Sequence, residues 1–343
     1  SMATQFSPQD VSFVLIDFKG TGLILPFRNL PHIAGTISDL DTNIQRNLIA
    51  LRSELERRKA VLDKAGVNNI VDYLKKYKKG LAAEPLSYLI VVIDEYAEFK
   101  SKFPDFTAEI NSLFRTGRSL GVHIVLMTQN PAGIVSGQAE DNVHFRWCLK
   151  VQSKEASKDF IGVADAAGIH NPGRAFIKVG SDELFAQVQS FWSGAKYQPD
   201  ARDKHAQNLK IARVKLNGQK EVFQETDTVR GENGKEIDAV VRYIAETAKK
   251  NGIASARRIW QDRMPATIYL PDILRTYMND STDRLAPIVG MVDDPNIQAQ
   301  YPLRVPLSQY GPFVLYGAPS TGKTTFLQTL LMALCLQYTP DEV

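Results

Sequence analysis

Cysteine is all but missing from this sequence. Its two copies, Cys148 and Cys335, stand far apart in apolar surroundings, which excludes a disulfide framework and the close spacing of a cysteine metal site. Both read as buried thiols of a reducing compartment. No apolar run approaches the roughly 20 residues needed to cross a bilayer, and no signal peptide opens the chain. The expectation is a soluble, cytoplasmic protein, with any membrane anchor outside this sequence. One sign of charge does not dominate either: 41 Lys and Arg against 38 Asp and Glu leave a net charge of +3. That balance gives no general argument for nucleic acid, although a local patch can hide inside a neutral total. What remains, 44% hydrophobic and 23% charged over 343 residues, is ordinary globular composition. It suffices for one large α/β domain with an appendage, or for parts of two.

Up to Gly194 the chain alternates strands with helices, the pattern of a parallel sheet covered on both faces. Phe13–Asp17 reads as a short buried strand closed by Lys19-Gly20-Thr21-Gly22. Between Asp41 and Asp63, Ile44, Leu48, Leu51, Leu55 and Leu62 recur at helical spacing, which predicts an amphipathic helix. The lysines of 75–79 read as a solvated helix face. Further strands are expected at 89–93, 123–128, 145–151, 174–179 and 184–189, with Gly180-Ser181-Asp182 as a hairpin turn. A helix at 106–120 stops at Gly121. Residues 196–236 are polar and turn-rich apart from a strand at 210–216, and a helix follows from Ile237 to Lys250. An extended piece at 268–270 leads to strands at 288–292, 303–305 and 313–316, then a helix over Lys323–Gln337. Trp192 and Trp260 read as packing residues.

Two motifs carry chemistry. Gly317-Ala318-Pro319-Ser320-Thr321-Gly322-Lys323-Thr324 is a complete G-x-x-x-x-G-K-[ST] loop between an apolar strand and a helix. In such a loop the glycines, Gly317 and Gly322, let backbone N–H groups approach phosphates, and Pro319, Ser320 and Thr321 line the cradle between them. Lys323 bridges the β- and γ-phosphates of ATP, Thr324 ligands Mg²⁺, and Thr325 continues the first helical turn. The second motif is Asp94-Glu95 at the end of the aliphatic run Leu89–Ile93. There Asp94 would hold Mg²⁺ through water and Glu95 would polarise the attacking water; a strand running into an acidic helix start has the same appearance. Gln129, after the strand at 123–128, stands where a γ-phosphate sensor would sit, or simply caps a strand. Arg115 and Arg118, late in the helix before it, could reach a neighbour's phosphate or serve as surface ion pairs. Asp17-Phe18-Lys19-Gly20 could hold a charge near a subunit boundary, or be only a turn.

The order of these motifs is inverted, because the phosphate loop of a P-loop ATPase normally precedes its acidic strand. A repeat explains the inversion: Gln5, Pro8 and Val11 recur as Gln337, Pro340 and Val343 in matching contexts. The second copy follows the P-loop helix and the first precedes a strand. Ser1–Gln5 is therefore expected to be the tail of an earlier P-loop helix, and the chain one period of a tandem array. The strand at 313–316 then either fills the vacant place in the first module's sheet, within one molecule or between two, or stays in an incomplete second module.

Several stretches together resemble the FtsK/SpoIIIE-type ATPases of the RecA-like P-loop class, and among them the EssC/EccC tandem ATPases of type VII secretion. They are Asp17-Phe18-Lys19-Gly20 with Pro26–His32, Val92–Phe99, Gly117–His123, Thr128–Pro131, Phe191–Ala195 and Val289–Pro295. The resemblance covers essentially the whole chain. It implies an α/β fold, mostly a parallel sheet with helices on both faces, with residues 1–195 one module lacking its own P-loop, 196–264 a linker, and 265–343 the start of the next. It also implies ATP and Mg²⁺ as cofactors, and small helical WXG-type proteins as export substrates. Neighbouring modules and subunits would be partners, at the cytoplasmic face of a membrane secretion complex. Nucleic acid is not expected, and an FtsK-like or conjugation-type DNA motor is the competing reading. A non-hydrolysing substrate receptor stabilised by nucleotide is a third.

Overall fold

The computed structural model describes residues 2–38, 41, 44–129, 143–180, 183–197, 210–215, 220–225, 234–277, 285–310 and 312–341. Two compact units share them, Ser1–Thr42 with Arg58–Arg257, and Asn43–Arg57 with Arg258–Val343.

A four-stranded parallel sheet forms the heart of the first unit. Strands β1 (Val11–Asp17), β2 (Ile33–Ser38), β3 (Tyr88–Asp94) and β4 (Val122–Leu126) lie in the order β2-β1-β3-β4. β1 is buried at six of its seven positions, as a strand covered on both faces should be. The short helix α1 (Met2–Gln5) precedes β1, and helix α2 (Ile44–Lys64) follows β2 and buries the predicted Leu48, Leu51, Leu55 and Leu62. Its residues from Arg58 onward belong to the first unit. Helix α3 (Ile70–Lys78) starts at Asn69, whose side chain accepts from the Asp72 N–H, and it keeps its lysines toward its C-terminal end. That placement complements the helix dipole.

Helix α5 (Pro104–Leu120) packs on β4, and its end shows how closely the two elements approach. Gly121 terminates it at φ 69°, and a Cβ built there would lie 2.1 Å from Ile70 Cδ1. Both the left-handed backbone and the lack of space demand glycine. Arg58, buried to 2% exposure, donates to the Leu120 carbonyl at 3.0 Å and satisfies one of the helix's terminal acceptors. Between β3 and α5 the short helix α4 (Tyr96–Lys102) carries Phe99 into an aromatic cluster. Phe18, Phe99 and Phe103 have ring centroids 5.4–5.8 Å apart.

The same unit contains a three-stranded antiparallel sheet of β5 (Phe145–Cys148), β6 (Arg174–Val179) and β7 (Leu184–Gln189). Helix α6 (Lys154–Ile161) covers it through a core of Cys148, Ile161, Ala166 and Ile169. Val179 pairs with Leu184 as a hairpin requires, while Ser181 and Asp182 of the expected turn lie outside the described residues. A two-stranded ladder of β8 (Lys210–Val214) and β9 (Lys220–Glu225) and helix α7 (Glu236–Lys250) follow. Only the first of these two strands was expected. Trp192 is not a packing residue: it is 77% exposed.

In the second unit, helix α8 (Leu270–Tyr277) begins at Leu270, the last residue of the expected extended piece, and Ile268 and Tyr269 stay outside it. Ile273 and Leu274 pack against Ile288 of β10 (Ile288–Asp294), which pairs antiparallel with β11 (Ala299–Arg304). Arg46, on the part of α2 that belongs here, grips the Asp293 carboxylate with two guanidinium N–H donors. Helix α9 (Lys323–Gln337) is tied to β10 through Gln337, whose Oε1 accepts from the Ile288 N–H at 3.0 Å.

Two expectations fail in this unit. Residues 313–316 form no strand, and Val314 and Tyr316 are 84% and 96% exposed. An extended segment becomes a strand only when a neighbour takes its backbone hydrogen bonds, and no described strand pairs with this one. Among the described residues the parallel sheet consists of β2, β1, β3 and β4 alone. Cys335 is exposed, not buried: of the residues of α9 only Ala333 is buried.

Two measurements test these packing arguments. Gly121→Ala must overlap Ile70 and hold alanine in a left-handed conformation, so urea unfolding should show a loss of at least about 2 kcal/mol. His32 is buried, its Nε2–H donates to the Phe6 carbonyl at 2.8 Å, and its Nδ1 has no partner among the described residues. Burial holds its pKa below the ordinary value. The unfolded chain therefore takes up the proton first, and stability should fall as pH drops below about 6.5. A His32→Asn variant should lack that part of the pH dependence of its thermal midpoint.

Candidate active site

Parallel strands offer their carboxyl ends for binding, since loops and side chains converge there. β1 and β3 pair without a slip from Val11↔Tyr88 to Asp17↔Asp94, so two carboxylates finish side by side. They are used differently. Asp17 is 2% exposed, and its two oxygens accept from the backbone N–H groups of Lys19 and Leu23, both at 3.0 Å. It builds the turn at 18–23. Asp94 remains half-buried; burial first, then the charges of Asp17 and Glu95, push its pKa above the usual carboxylate range. A carboxylate so placed gains from a cation. Among the described residues no cluster of three metal-ligating side chains forms.

Glu95 turns the chain. Its backbone is left-handed (φ 53°, ψ 68°), because the next N–H, that of Tyr96, reaches across to the Met127 carbonyl at 2.8 Å. The carboxylate is 9% exposed and fully engaged. Lys19 Nζ donates to Oε2 at 2.7 Å, Thr128 Oγ1 donates to Oε1 at 3.0 Å, and the Gln129 backbone N–H approaches Oε1 at 3.4 Å. Burial alone would raise its pKa; the Lys19 hydrogen bond, with Thr128 and Gln129, outweighs burial and brings it below the ordinary value. The Lys19 ammonium is correspondingly stabilised, chiefly by the same hydrogen bond.

The structure thus brings Asp94, Glu95 and Gln129 together, with Gln129 contributing its main chain while its residue as a whole stays exposed. Asn130 and Pro131 lie outside the described residues. Arg115 and Arg118 are exposed late in α5; neither hydrogen-bonds Asp94 or Glu95 among the described residues, and Arg118's charge is felt at His123. Lys19 and Thr128 are the residues that motif reading missed. Lys19 was visible only as the cation in a glycine-flanked turn, and Thr128 only as the last residue of a strand.

The glycine loop belongs to the second unit. Gly317 tolerates no side chain, since a Cβ would stand 2.6 Å from Thr321 Oγ1, a hydroxyl that donates to the Ala318 carbonyl at 2.8 Å. Ser320 and Gly322 are left-handed at φ 61° and 94°. Pro319, Ser320, Thr324 and Thr325 are exposed around the start of α9. Lys323 Nζ folds back onto the loop, donating to the carbonyls of Gly317 at 2.7 Å and Ala318 at 2.6 Å. An ammonium folded over the loop's carbonyls and the N-terminus of a fifteen-residue helix behind them make a donor set that fits a polyphosphate.

Comparison with known proteins agrees with this chemistry. The FtsK/SpoIIIE family matches residues 1–133. Over its whole length the chain is 35% identical to the type VII secretion system protein EssC of Staphylococcus aureus and to the ESX secretion system protein EccC of Geobacillus thermodenitrificans. It spans about a quarter of the length of either, 24% and 23%. Among solved structures, the cytoplasmic domain of the Thermomonospora curvata type VII secretion ATPase EccC superposes with a TM-score of 0.76 at 27% identity, covering 99% of this chain and 37% of that one. T. curvata EccC (ATPases 2 and 3) in complex with a signal sequence peptide shares the fold at a TM-score of 0.61 and 18% identity, over 99% of this chain and 53% of that one. The parallel sheet flanked by helices is the RecA-like P-loop ATPase fold of these neighbours. Residues 1–133 therefore carry the FtsK/SpoIIIE match, and along its whole length the chain is a relative of the type VII secretion proteins EssC and EccC.

Proposed function

We propose that this chain works as part of an ATP-driven motor that exports small helical WXG-type proteins at the cytoplasmic face of a membrane secretion complex. The observation that carries the reading is the glycine loop at the head of α9, with Lys323 drawn over the carbonyls of Gly317 and Ala318. Phosphate oxygens are better partners for that ammonium than neutral carbonyls, because both sides of the bond are then charged. Gly317, Pro319, Ser320, Thr321 and Gly322 shape the cradle, Lys323 holds the β- and γ-phosphates, and Thr324 and Thr325 open the helix on which they rest.

ATP supplies the γ-phosphoryl group, and Mg²⁺ neutralises the charge that develops during its transfer. Asp94 is the residue to hold Mg²⁺ through water, and Glu95 is the acceptor that orients the attacking water. Gln129 senses the phosphate through its N–H as well as its side chain. Arg115 and Arg118, exposed on α5, would reach the phosphate of a neighbouring subunit. The acid pair and the glycine loop belong to successive modules, 1–195 and 265–343, joined by a linker at 196–264. The near-neutral net charge gives a DNA motor no support, whereas the signal peptide held by the T. curvata relative favours a protein substrate.

Calorimetry on the chain should show Mg²⁺-dependent ATP binding that Lys323→Ala weakens at least about tenfold. Absence of binding by the wild-type chain would remove the assigned role of the loop. In cells that carry the protein, Glu95→Gln should cut export of WXG-type proteins by about a hundredfold while leaving the protein's abundance unchanged. Unimpaired export would mean that Glu95 is not the acceptor.

A further inference from the structure

Glu95 is held by more donors than a waiting base requires. An ammonium, a hydroxyl and a backbone N–H, from Lys19, Thr128 and Gln129, converge on its two oxygens. None of these donors is particular to a carboxylate. Together they are the equipment that binds any compact oxyanion, phosphate above all. Glu95 reaches them only from a left-handed backbone, a conformation disfavoured for any residue with a Cβ. The most accessible of the side-chain partners is Lys19. The Lys19 side chain is 41% exposed against 9% for Glu95, and a Cβ added at the following Gly20, at φ 127°, would meet nothing within 4 Å.

We propose that Lys19, Thr128 and the Gln129 amide form an oxyanion site that Glu95 occupies at rest, and that an arriving phosphoryl group takes Lys19 and so frees the Glu95 carboxylate. Lys19 is on this account a positioning residue. A carboxylate whose two oxygens are already hydrogen-bonded accepts a proton from water poorly, and its release restores that capacity. Asp94 and Glu98 also lie within electrostatic reach of Lys19, so the entering anion needs a divalent cation beside it to offset their charge. The device couples the base to the presence of the group it acts on. It rests on the reading of Glu95 as the residue acting on a nucleotide's γ-phosphate.

Carbon-13 labelling of glutamate carboxyls in the 343-residue chain reads the event directly, with the Glu95 resonance assigned by its disappearance in Glu95→Gln. Inorganic phosphate with magnesium chloride should move that resonance saturably, and potassium chloride at equal ionic strength should not. Lys19→Met should raise the half-saturating phosphate concentration at least about tenfold, and Lys19→Arg should restore it. Thr128→Val, removing the second donor, should weaken the response in the same direction and serves if Lys19→Met does not fold. A wild-type resonance that ignores phosphate, or one that responds equally in Lys19→Met, overturns the proposal. If phosphate moves Glu95 as expected but Glu95→Gln leaves export intact, the oxyanion site stands and the role of Glu95 in hydrolysis falls.

Discussion

The unbroken pairing of β1 with β3 governs the chemistry of the first unit. Parallel strands in register must end together, and here they end on Asp17 and Asp94. Two carboxylates at that distance repel each other, so each needs a separate occupation. Asp17 spends both oxygens on backbone N–H groups of the following turn. That turn sets Lys19 at the carboxyl ends of the central strands, where it meets the carboxylate one residue beyond Asp94. The hydrogen bonds of one acid therefore place the cation that neutralises another, and Asp94 is left as the carboxylate short of positive charge. A one-residue slip would send Asp17 and Asp94 to opposite faces and undo all three assignments.

How far the sequence disclosed this arrangement depended on whether the signal was local. Leu48, Leu51, Leu55 and Leu62 repeat along one helix face and mark α2 within a few residues of its ends; Lys323–Gln337 was legible to the residue as α9. The aliphatic run before Asp94 identified β3, since a strand buried on both faces has little alternative composition. β9, rich in charge, was invisible, because only its pairing with β8 makes it a strand. The opposite error occurred at 313–316, where strong strand-like composition met no partner among the described residues. Composition sets a tendency, and a neighbouring edge decides the outcome.

The site was legible to the same degree. Asp94, Glu95 and Lys323 stood in motifs whose spacing is fixed by the chemistry they perform. Lys19 and Thr128 did not, because their role depends on a fold that brings residues 19, 95 and 128 to one point. Arg115 and Arg118 illustrate the converse. Position on a helix end made them candidates, yet within this chain they face solvent.

The left-handed backbone at Glu95 shows what keeps that point in place. A residue with a Cβ pays about 1–2 kcal/mol there, and glycine would remove the strain. Glycine would also leave Lys19, Thr128 and the Gln129 amide without their common acceptor, costing more than the strain it relieved if any of them stayed buried. The turn persists because its far side is fixed independently. Tyr96 and Phe99 are fully buried, the Tyr96 N–H is bonded to Met127, and Phe99 is packed between Phe18 and Phe103. Those contacts anchor α4 whatever Glu95 does with its carboxylate. The backbone is consequently rigid while the side chain's partners, an exposed lysine among them, remain exchangeable. A fixed main chain beneath an exchangeable carboxylate is what a base needs if it is to change hydrogen-bond partners without disturbing the sheet that positions it.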